Sequence, residues 1–578
     1  MLITIVKNET IKKITLANSM TISDFFHEYG IYIDRPCSGK GTCGKCAVKA
    51  DGILSPLSKN ESKALSQEQI SGGYRLACEA YIKGDCKILM EEQSVQSIET
   101  RGNAEFSFVS EFENKTINAT VPTLDNQLTD YECLNTDMEI SLFALKKLPF
   151  VIRESKYSPK AVICNNRILD VATKETDITG VAIDIGTTTV AAYFYNLKTG
   201  ELIDTQSGLN TQRTYGADVI SRIEHSQTKG GLDELQNAIV SLINELIEKS
   251  CKKTNQRAEN IFKITVAANT TMLHLLCGIN PSAIACSPFI AATSFGFCVN
   301  CSDLKINAHS QAFVYLIPSV SAYVGGDIVA GIAASGLCNN SLFIDVGTNG
   351  EMAIKSGDKI IACSVAAGPA FEGAHIKHGT GGISGAVCSV KYQNGDFITE
   401  TIDNKAPVGI CGSGIIDAVA ALLDAQVLDM TGRLAEPDEM PAQLKSRLKE
   451  DEFVICENIT VTAQDIREVQ LAKAAVCAGV HVLIKEAGLT LESVEQVIIA
   501  GGFGSHINKE SACRIGLFPK ELLEKITVAG NAAGMGACKA LLEPAKNIFD
   551  KLAKDTQYIE LSGNQDFMDC YIEQMIFE

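Results

Sequence analysis

Two short segments built on one plan limit most strongly what this chain can fold into. Residues 180–200 carry an apolar strand ending at Asp184, a tight Gly186-Thr187-Thr188 turn, and a second strand from Thr189. Residues 342–358 repeat the plan with Asp345, Gly347, Thr348, Asn349 and Glu351. Such a repeat predicts two related lobes facing each other. Glycine at each turn lets backbone N–H groups approach phosphate oxygens, and threonine or asparagine side chains add donors. An aspartate at each strand end can hold Mg²⁺ through water, because that ion keeps most of its own waters. One such turn alone is common between strands. Here a third Gly-rich turn follows: a buried strand from Val497 runs into Gly501-Gly502-Phe503-Gly504, suited to close approach by a sugar or α-phosphate. The helix before it opens with a capping box, Thr462-Ala-Gln-Asp465, and stops at Gly488. Its Gln470 and Lys473 are candidates to line a base pocket, against the plainer reading of solvated polar positions. Gly325-Gly326-Asp327 and Gly530–Gly534 open two helices rich in small residues, as a close crossing at a hinge needs. No G-x-x-x-x-G-K-[ST] is present, which excludes a P-loop ATPase.

A second constellation lies near the N-terminus. Cys37, Cys43 and Cys46 stand at C-x5-C-x2-C in a loop containing Gly39, Gly41 and Gly44, and Cys78 follows in Tyr-Arg-Leu-Ala-Cys. Three thiolates in a Gly-rich loop plus a distant fourth is the pattern that holds a [2Fe–2S] cluster, here with the loop one residue longer than the plant-type spacing. A zinc ribbon pairs two C-x-x-C units, and no second pair lies near Cys78. The flanks, a hairpin over Met1–Val6 and Lys12–Leu16, a helix over Ile22–Tyr29 and a strand from Cys46 to Lys49, fit a small ferredoxin. Cys86 is read as a spare thiol. Cys298-Val-Asn-Cys301 lacks a second pair or a nearby histidine and is read as structural.

The 578 residues allow about three or four domains. Residues 91–104 are polar without apolar period and read as a linker. The expected organisation is a ferredoxin domain over 1–92, a linker over 93–104, a small α+β domain over 105–176, with strand-like runs at Thr116–Val121 and Ala161–Cys164, and a two-lobed domain over 177–578. A formal charge of −18 disfavours nucleic acid as a partner. The first 92 residues, with 12 basic and 11 acidic side chains, are nearly neutral. The weakly charged stretch Leu316–Leu337 has Pro318, two glycines and Asp327 at its centre, a poor membrane span. Without a signal-like start, and with 21 scattered cysteines, a reducing cytoplasm, free thiols and no membrane association are expected.

In order, Asp184–Thr189, Val324–Ala330, Asp345–Glu351, Ala500–Gly504 and Gly530–Gly536 resemble the phosphate-1, connect-1, phosphate-2, adenosine and connect-2 motifs of the actin, sugar-kinase and chaperone-ATPase superfamily. The resemblance covers about residues 177–578. It implies an α/β multidomain chain: an N-terminal β-grasp ferredoxin, a small α+β middle domain, and a ribonuclease H-like two-lobed ATPase. With the ferredoxin in front, the whole chain resembles the reductive activators of corrinoid proteins, which serve cobalamin-dependent methyltransferase systems of acetogens and methylotrophic anaerobes. The stretches Tyr215–Arg222, Asn269–His274, Ala367–Gly373, Gly409–Gly414 and Asp465–Gln470 are similar to that family too.

The resemblance implies ATP with Mg²⁺ in the cleft and an electron from a cellular low-potential donor passing through the cluster to a corrinoid protein, returning inactive Co(II) to Co(I). A plant-type cluster sits near −400 mV and the cobalt couple is expected lower, so a gap of ~100–200 mV costs roughly 2–5 kcal/mol. Nucleotide-driven lobe closure can supply that coupling. Asp184 and Asp345 would hold Mg²⁺-bound water, and Asp327 or Glu351 would orient the attacking water. The resemblance leaves a homodimer open. Three rivals remain at this level: an ATP-driven activator of a radical dehydratase, a small-molecule kinase with an accessory ferredoxin domain, and a plain electron carrier.

Overall fold

The computed structural model describes residues 1–7, 10–29, 31, 33, 39, 41, 44, 46–90, 100, 102, 104, 106–504, 506–544 and 546–577. Two six-stranded sheets within it share one core topology. In the first lobe the order is Leu202–Leu209, Thr189–Asn196, Thr179–Ile185, Ile261–Ala268, Phe313–Leu316, Cys298–Asn300. In the second it is Ile526–Gly530, Gln496–Ala500, Ser341–Val346, Gly350–Ser356, Lys359–Val365, Thr556–Tyr558. In both, the strand carrying the cleft aspartate is internal. It pairs antiparallel with the strand after the Gly-Thr turn and parallel with a strand from farther along the chain. A parallel neighbour needs a long crossover. The helices Gly231–Thr254 and Ala463–Glu486 lie within these connections.

Covered on both faces, the central strands are nearly all apolar, as such strands must be. Val181, Ile183 and Ile185 anchor one core, and Leu342, Ile344 and Val346 the other. Asp184 and Asp345 interrupt these runs as partly open residues at the strand ends. The helix Ala463–Glu486 carries the expected Thr462–Asp465 capping box. Between the lobes, Gly326–Ser335 crosses Ala532–Leu542 so closely that a β-carbon on Gly536 would lie 2.2 Å from the Ala330 carbonyl oxygen.

Ahead of the lobes, a four-stranded sheet is ordered Phe112–Thr116, Lys160–Cys164, Arg167–Ala172, Glu139–Ile140. The helix Leu142–Glu154 buries Ala144, Leu148 and Ile152. Phe112, Val162 and Cys164 join a shared core with Tyr195 and Phe262 of the first lobe. The first strand falls at Phe112–Thr116 rather than at the apolar run Thr116–Val121. Beyond Thr116 the backbone leaves the ladder: the Ile117 and Ala119 N–H groups still donate to the Pro159 and Tyr157 carbonyls, but the Thr120 N–H turns to the Cys133 carbonyl.

The N-terminal sheet is ordered Thr10–Thr15, Leu2–Lys7, Ile82–Met90, Ala47–Leu54, Tyr74–Leu76, with its first and last strands in sequence paired parallel over the helix Ile22–Glu28. Phe25, Phe26, Ile3, Leu76 and Ile88 are fully buried in its core. This is a β-grasp. Farther on, Gly102 bridges to Gly530 at the edge of the second lobe's sheet. The Tyr193 hydroxyl donates to the Thr100 carbonyl at 2.8 Å, and the Val109 N–H to the Leu542 carbonyl at 3.1 Å. No described helix is long and apolar enough to cross a membrane.

Candidate active site

The cleft is built from turns that only particular residues can make. The Gly186 N–H donates to the Thr189 carbonyl at 2.9 Å, and the Gly347 N–H to the Asn349 carbonyl at 2.8 Å, closing two related hairpins of which the second is one residue shorter. The first is braced from below: Asn210 donates to the Gly186 carbonyl at 2.8 Å, and the fully buried Arg222 donates to the Thr187 carbonyl at 2.5 Å. Asn269 donates to the Thr187 hydroxyl at 3.3 Å. Arg222 and Asn269 were legible only as members of family-like stretches without a role, and Asn210 not at all. Gly501 has φ 87°, and a β-carbon there would sit 2.4 Å from Asp345 Oδ1. The third glycine turn therefore closes directly on the second hairpin's carboxylate. Gly502 faces open space, and the Phe503 side chain lies outside the described residues.

Asp184, Asp327, Asp345 and Glu351 converge electrostatically. Burial pushes Asp184 up to about 7, partly opposed by a 2.9 Å hydrogen bond from Asn531 and reinforced by the Asp327 charge. Asp345 is likewise pushed up to about 7, by burial and then by the Asp327 and Asp184 charges. Burial raises Asp327 to about 6, against a 2.9 Å hydrogen bond from the Ile328 N–H. Glu351 is raised well above the usual carboxylate range by burial, then by Asp327 and Asp345. Carboxylates so placed repel one another until a cation is shared among them. Among the described residues no three His, Cys, Asp or Glu side chains group closely enough to hold a metal ion directly.

Glu372 sits between the two hairpins, accepting from the Thr188 hydroxyl at 3.2 Å and from the Thr348 hydroxyl at 2.8 Å. Sequence reasoning gave it no role. Lys473 is placed elsewhere: its ammonium donates to the Ile576 carbonyl and lies 5.6 Å from the Phe577 ring centroid. Gln470 donates to the Thr431 and Met575 carbonyls, both at 2.9 Å. Both side chains fasten the C-terminal segment.

In the N-terminal domain Cys46 Sγ and Cys78 Sγ lie 3.3 Å apart, while Cys37 and Cys43 fall outside the described residues. Gly39, Gly41 and Gly44 have φ of 81°, 69° and 70°. A β-carbon on Gly41 would meet the Glu79 carboxylate at 2.4 Å, so Gly41 packs tightly against the residue after Cys78. The turn at Cys78 is fixed by buried Glu61, which accepts from Arg75 at 2.8 Å and from the Leu76 N–H at 3.0 Å. A close thiol pair under a glycine cradle fits a thiolate-held iron–sulfur cluster. Cys86 and Cys301 do not: burial pushes their thiols up to about 11 and about 12.

Fold and site together define a class, a two-lobed actin-like ATPase domain carried in one chain with an iron–sulfur ferredoxin domain. Residues 6–83 match the family described as 2Fe-2S iron-sulfur cluster binding domain. Residues 179–340 match RACo middle region, and 339–578 match C-terminal domain of RACo, the ASKHA domain. The corrinoid activation enzyme RamQ of Eubacterium limosum is 31% identical over 98% of this chain and 98% of its own length. A [Co(II) methylated amine-specific corrinoid protein] reductase of Methanosarcina barkeri is 23% identical over 69% of this chain and 77% of its own. A solved structure of a reductive activator for corrinoid, iron-sulfur protein superposes with a TM-score of 0.73 at 33% identity, covering 99% of this chain and 98% of that one. The chain belongs to the family of reductive activators of corrinoid proteins.

Proposed function

We propose that this protein uses ATP to drive the one-electron reduction of a corrinoid protein from Co(II) to Co(I), restoring the form that accepts a methyl group. The observation that carries this reading is one chain holding both the carboxylate cleft between Gly-Thr hairpins and the close thiol pair of a ferredoxin fold. The likeness to a corrinoid activation enzyme spans both halves.

Cys37, Cys43, Cys46 and Cys78 are the proposed cluster ligands. When bound, a [2Fe–2S] cluster supplies one-electron carriage at low potential. Gly39, Gly41 and Gly44, all at positive φ, would leave room for backbone donors to face the thiolates. In the cleft, Thr187, Thr188, Thr189, Thr348 and Asn349 grip the phosphates, and Gly186 and Gly347 give their backbone room. Asp184 and Asp345 would hold Mg²⁺ through its waters, which suits carboxylates that share a site without a direct ligand cage. Gly501, Gly502 and Gly504 admit the nucleoside. The electron comes from a cellular low-potential donor, and the protein works in the cytoplasm.

The test is an anaerobic mixture of purified protein, a candidate corrinoid protein in the Co(II) state, a strong reductant and MgATP, followed by the visible absorption of Co(I). Co(I) forms with ATP and does not form without it. Equal yields under both conditions would remove ATP from the function.

A further inference from the structure

Glu372 ends a short 3-10 turn, Pro369–Glu372, enclosed by Gly368 at φ 80° and Gly373 at φ 79°. Ala370 and Phe371 on the same turn are buried in the second lobe's core. The Gly368 N–H donates to the Thr348 carbonyl at 3.0 Å, and a β-carbon on Gly373 would lie 2.6 Å from the Thr380 backbone. The carboxylate therefore stands on a pinned turn rather than a loose loop. From there it reaches both lobes: Oε1 accepts from Thr348 of one phosphate hairpin, and Oε2 from Thr188 of the other.

We propose that Glu372 is the general base of the ATP-hydrolysing cleft, orienting the attacking water and taking its proton; this rests on reading the cleft as an ATPase. An ionised carboxylate offers no proton to a phosphate oxygen, so among phosphate-binding groups it is not a phosphate ligand. Its two partners are rotatable hydroxyls, and a terminal phosphate draws both toward itself. Glu372 then loses both donors while its backbone stays fixed, leaving two acceptor oxygens facing the site. A water between it and the γ-phosphorus supplies the missing donor.

The step balances: the water oxygen bonds to the γ-phosphorus, the bond from that phosphorus to the β,γ-bridging oxygen breaks, and ADP leaves with that electron pair. The water proton passes to Glu372 and from there to solvent. The other carboxylates are engaged differently. Asp184 accepts from Asn531, Asp327 accepts from the Ile328 N–H of its own helix, and Asp345 lies against Gly501. Only Glu372 among them is hydrogen-bonded by a hydroxyl from each hairpin.

Full-length wild type, Glu372→Gln and Glu372→Asp are compared for turnover at saturating MgATP, with nucleotide affinity measured by titration with ADP and with a non-hydrolysable ATP analogue. Glu372→Gln is expected to lower kcat ~100-fold or more, the usual weight of a general base. Nucleotide Kd should stay within about three-fold or tighten, because a negative charge beside the phosphates is gone. Glu372→Asp, which keeps the base at shorter reach, recovers part of the rate. A Gln variant turning over at the wild-type rate overturns the assignment. So does a rate loss matched by an equal loss of affinity, the signature of a clasp that merely closes the cleft. Absence of hydrolysis in the wild type would overturn the ATPase reading itself and the assignment with it.

Discussion

At the scale of single residues, the cleft carboxylates set the most direct consequences. Asp184 and Asp345 are pushed up to about 7 and Asp327 to about 6, in each case mainly by burial. An acid held above its unfolded value binds its proton more tightly in the folded chain. In metal-free protein these groups therefore lower stability progressively as pH rises from 3.8 toward about 7, and the full penalty persists above that. Asp184→Asn, which cannot ionise, should raise the unfolding temperature of metal-free protein at about pH 8 and lose that advantage toward pH ~4. An equal shift at both pH values, read by thermal unfolding, would contradict it. With MgATP the ranking reverses in activity: Asp345→Ala should lower hydrolysis at least ~100-fold through lost positioning of Mg²⁺-bound water. Steady-state phosphate release checks it. The aspartates were legible because each ends an apolar strand before a Gly-Thr turn. The roles of Glu372 and Arg222 were not, since their partners Thr188, Thr348 and Thr187 are joined to them only by the fold. In sequence, Lys473 and Gln470 are base-pocket candidates through their place on the helix before the third glycine turn. The Ile576 carbonyl, far along the chain, accounts for the burial of Lys473.

At the scale of elements, the two hairpins, the capped helix and the glycine turns were readable because each is a local chemical pattern. The register that brings them together was not, since it depends on parallel pairing across long connections, as between Ser341–Val346 and Gln496–Ala500. Gly501 shows how tight that assembly is. Gly501→Ala adds a methyl group 2.4 Å from Asp345 Oδ1 at a backbone angle that disfavours side chains. It should weaken ATP binding at least ~10-fold, about 1.4 kcal/mol. Calorimetric titration with ADP and Mg²⁺ checks it, and wild-type affinity would contradict the turn's assignment. In the N-terminal element, Cys46→Ala should abolish the visible bands of the cluster and leave basal hydrolysis by the protein alone unchanged. The thiol loop and the cleft are separate constructions, so a cluster spectrum surviving in that variant would refute the ligand set.

At the scale of the whole molecule, the segment from Thr100 onward is held against both lobes. The Thr100 carbonyl accepts from Tyr193, whose hydroxyl lies 3.3 Å from Asn531 Nδ2, and Asn531 donates to Asp184 at 2.9 Å. The chain leading from the ferredoxin domain thus touches the cleft's own hydrogen-bond network. Composition marked residues 91–104 as polar connection, but the bridge from Gly102 to Gly530 has no local signal apart from the glycine. A β-carbon on Gly102 would meet Met535 Cγ at 2.4 Å. Gly102→Val should therefore detach the segment, seen as faster limited proteolysis between residues 100 and 110, while unchanged cleavage would show that the contact is not needed to hold it. In the proposed function, ATP hydrolysis in the cleft and electron delivery from the thiol-held cluster form one process. Asp184→Ala with its cluster spectrum intact, mixed anaerobically with reductant, MgATP and Co(II) corrinoid protein, tests this most directly through the yield of Co(I). Co(I) should form with the wild type and stay at the ATP-free level with the variant; Co(I) formed by the variant at the wild-type rate would show that the two events are separate.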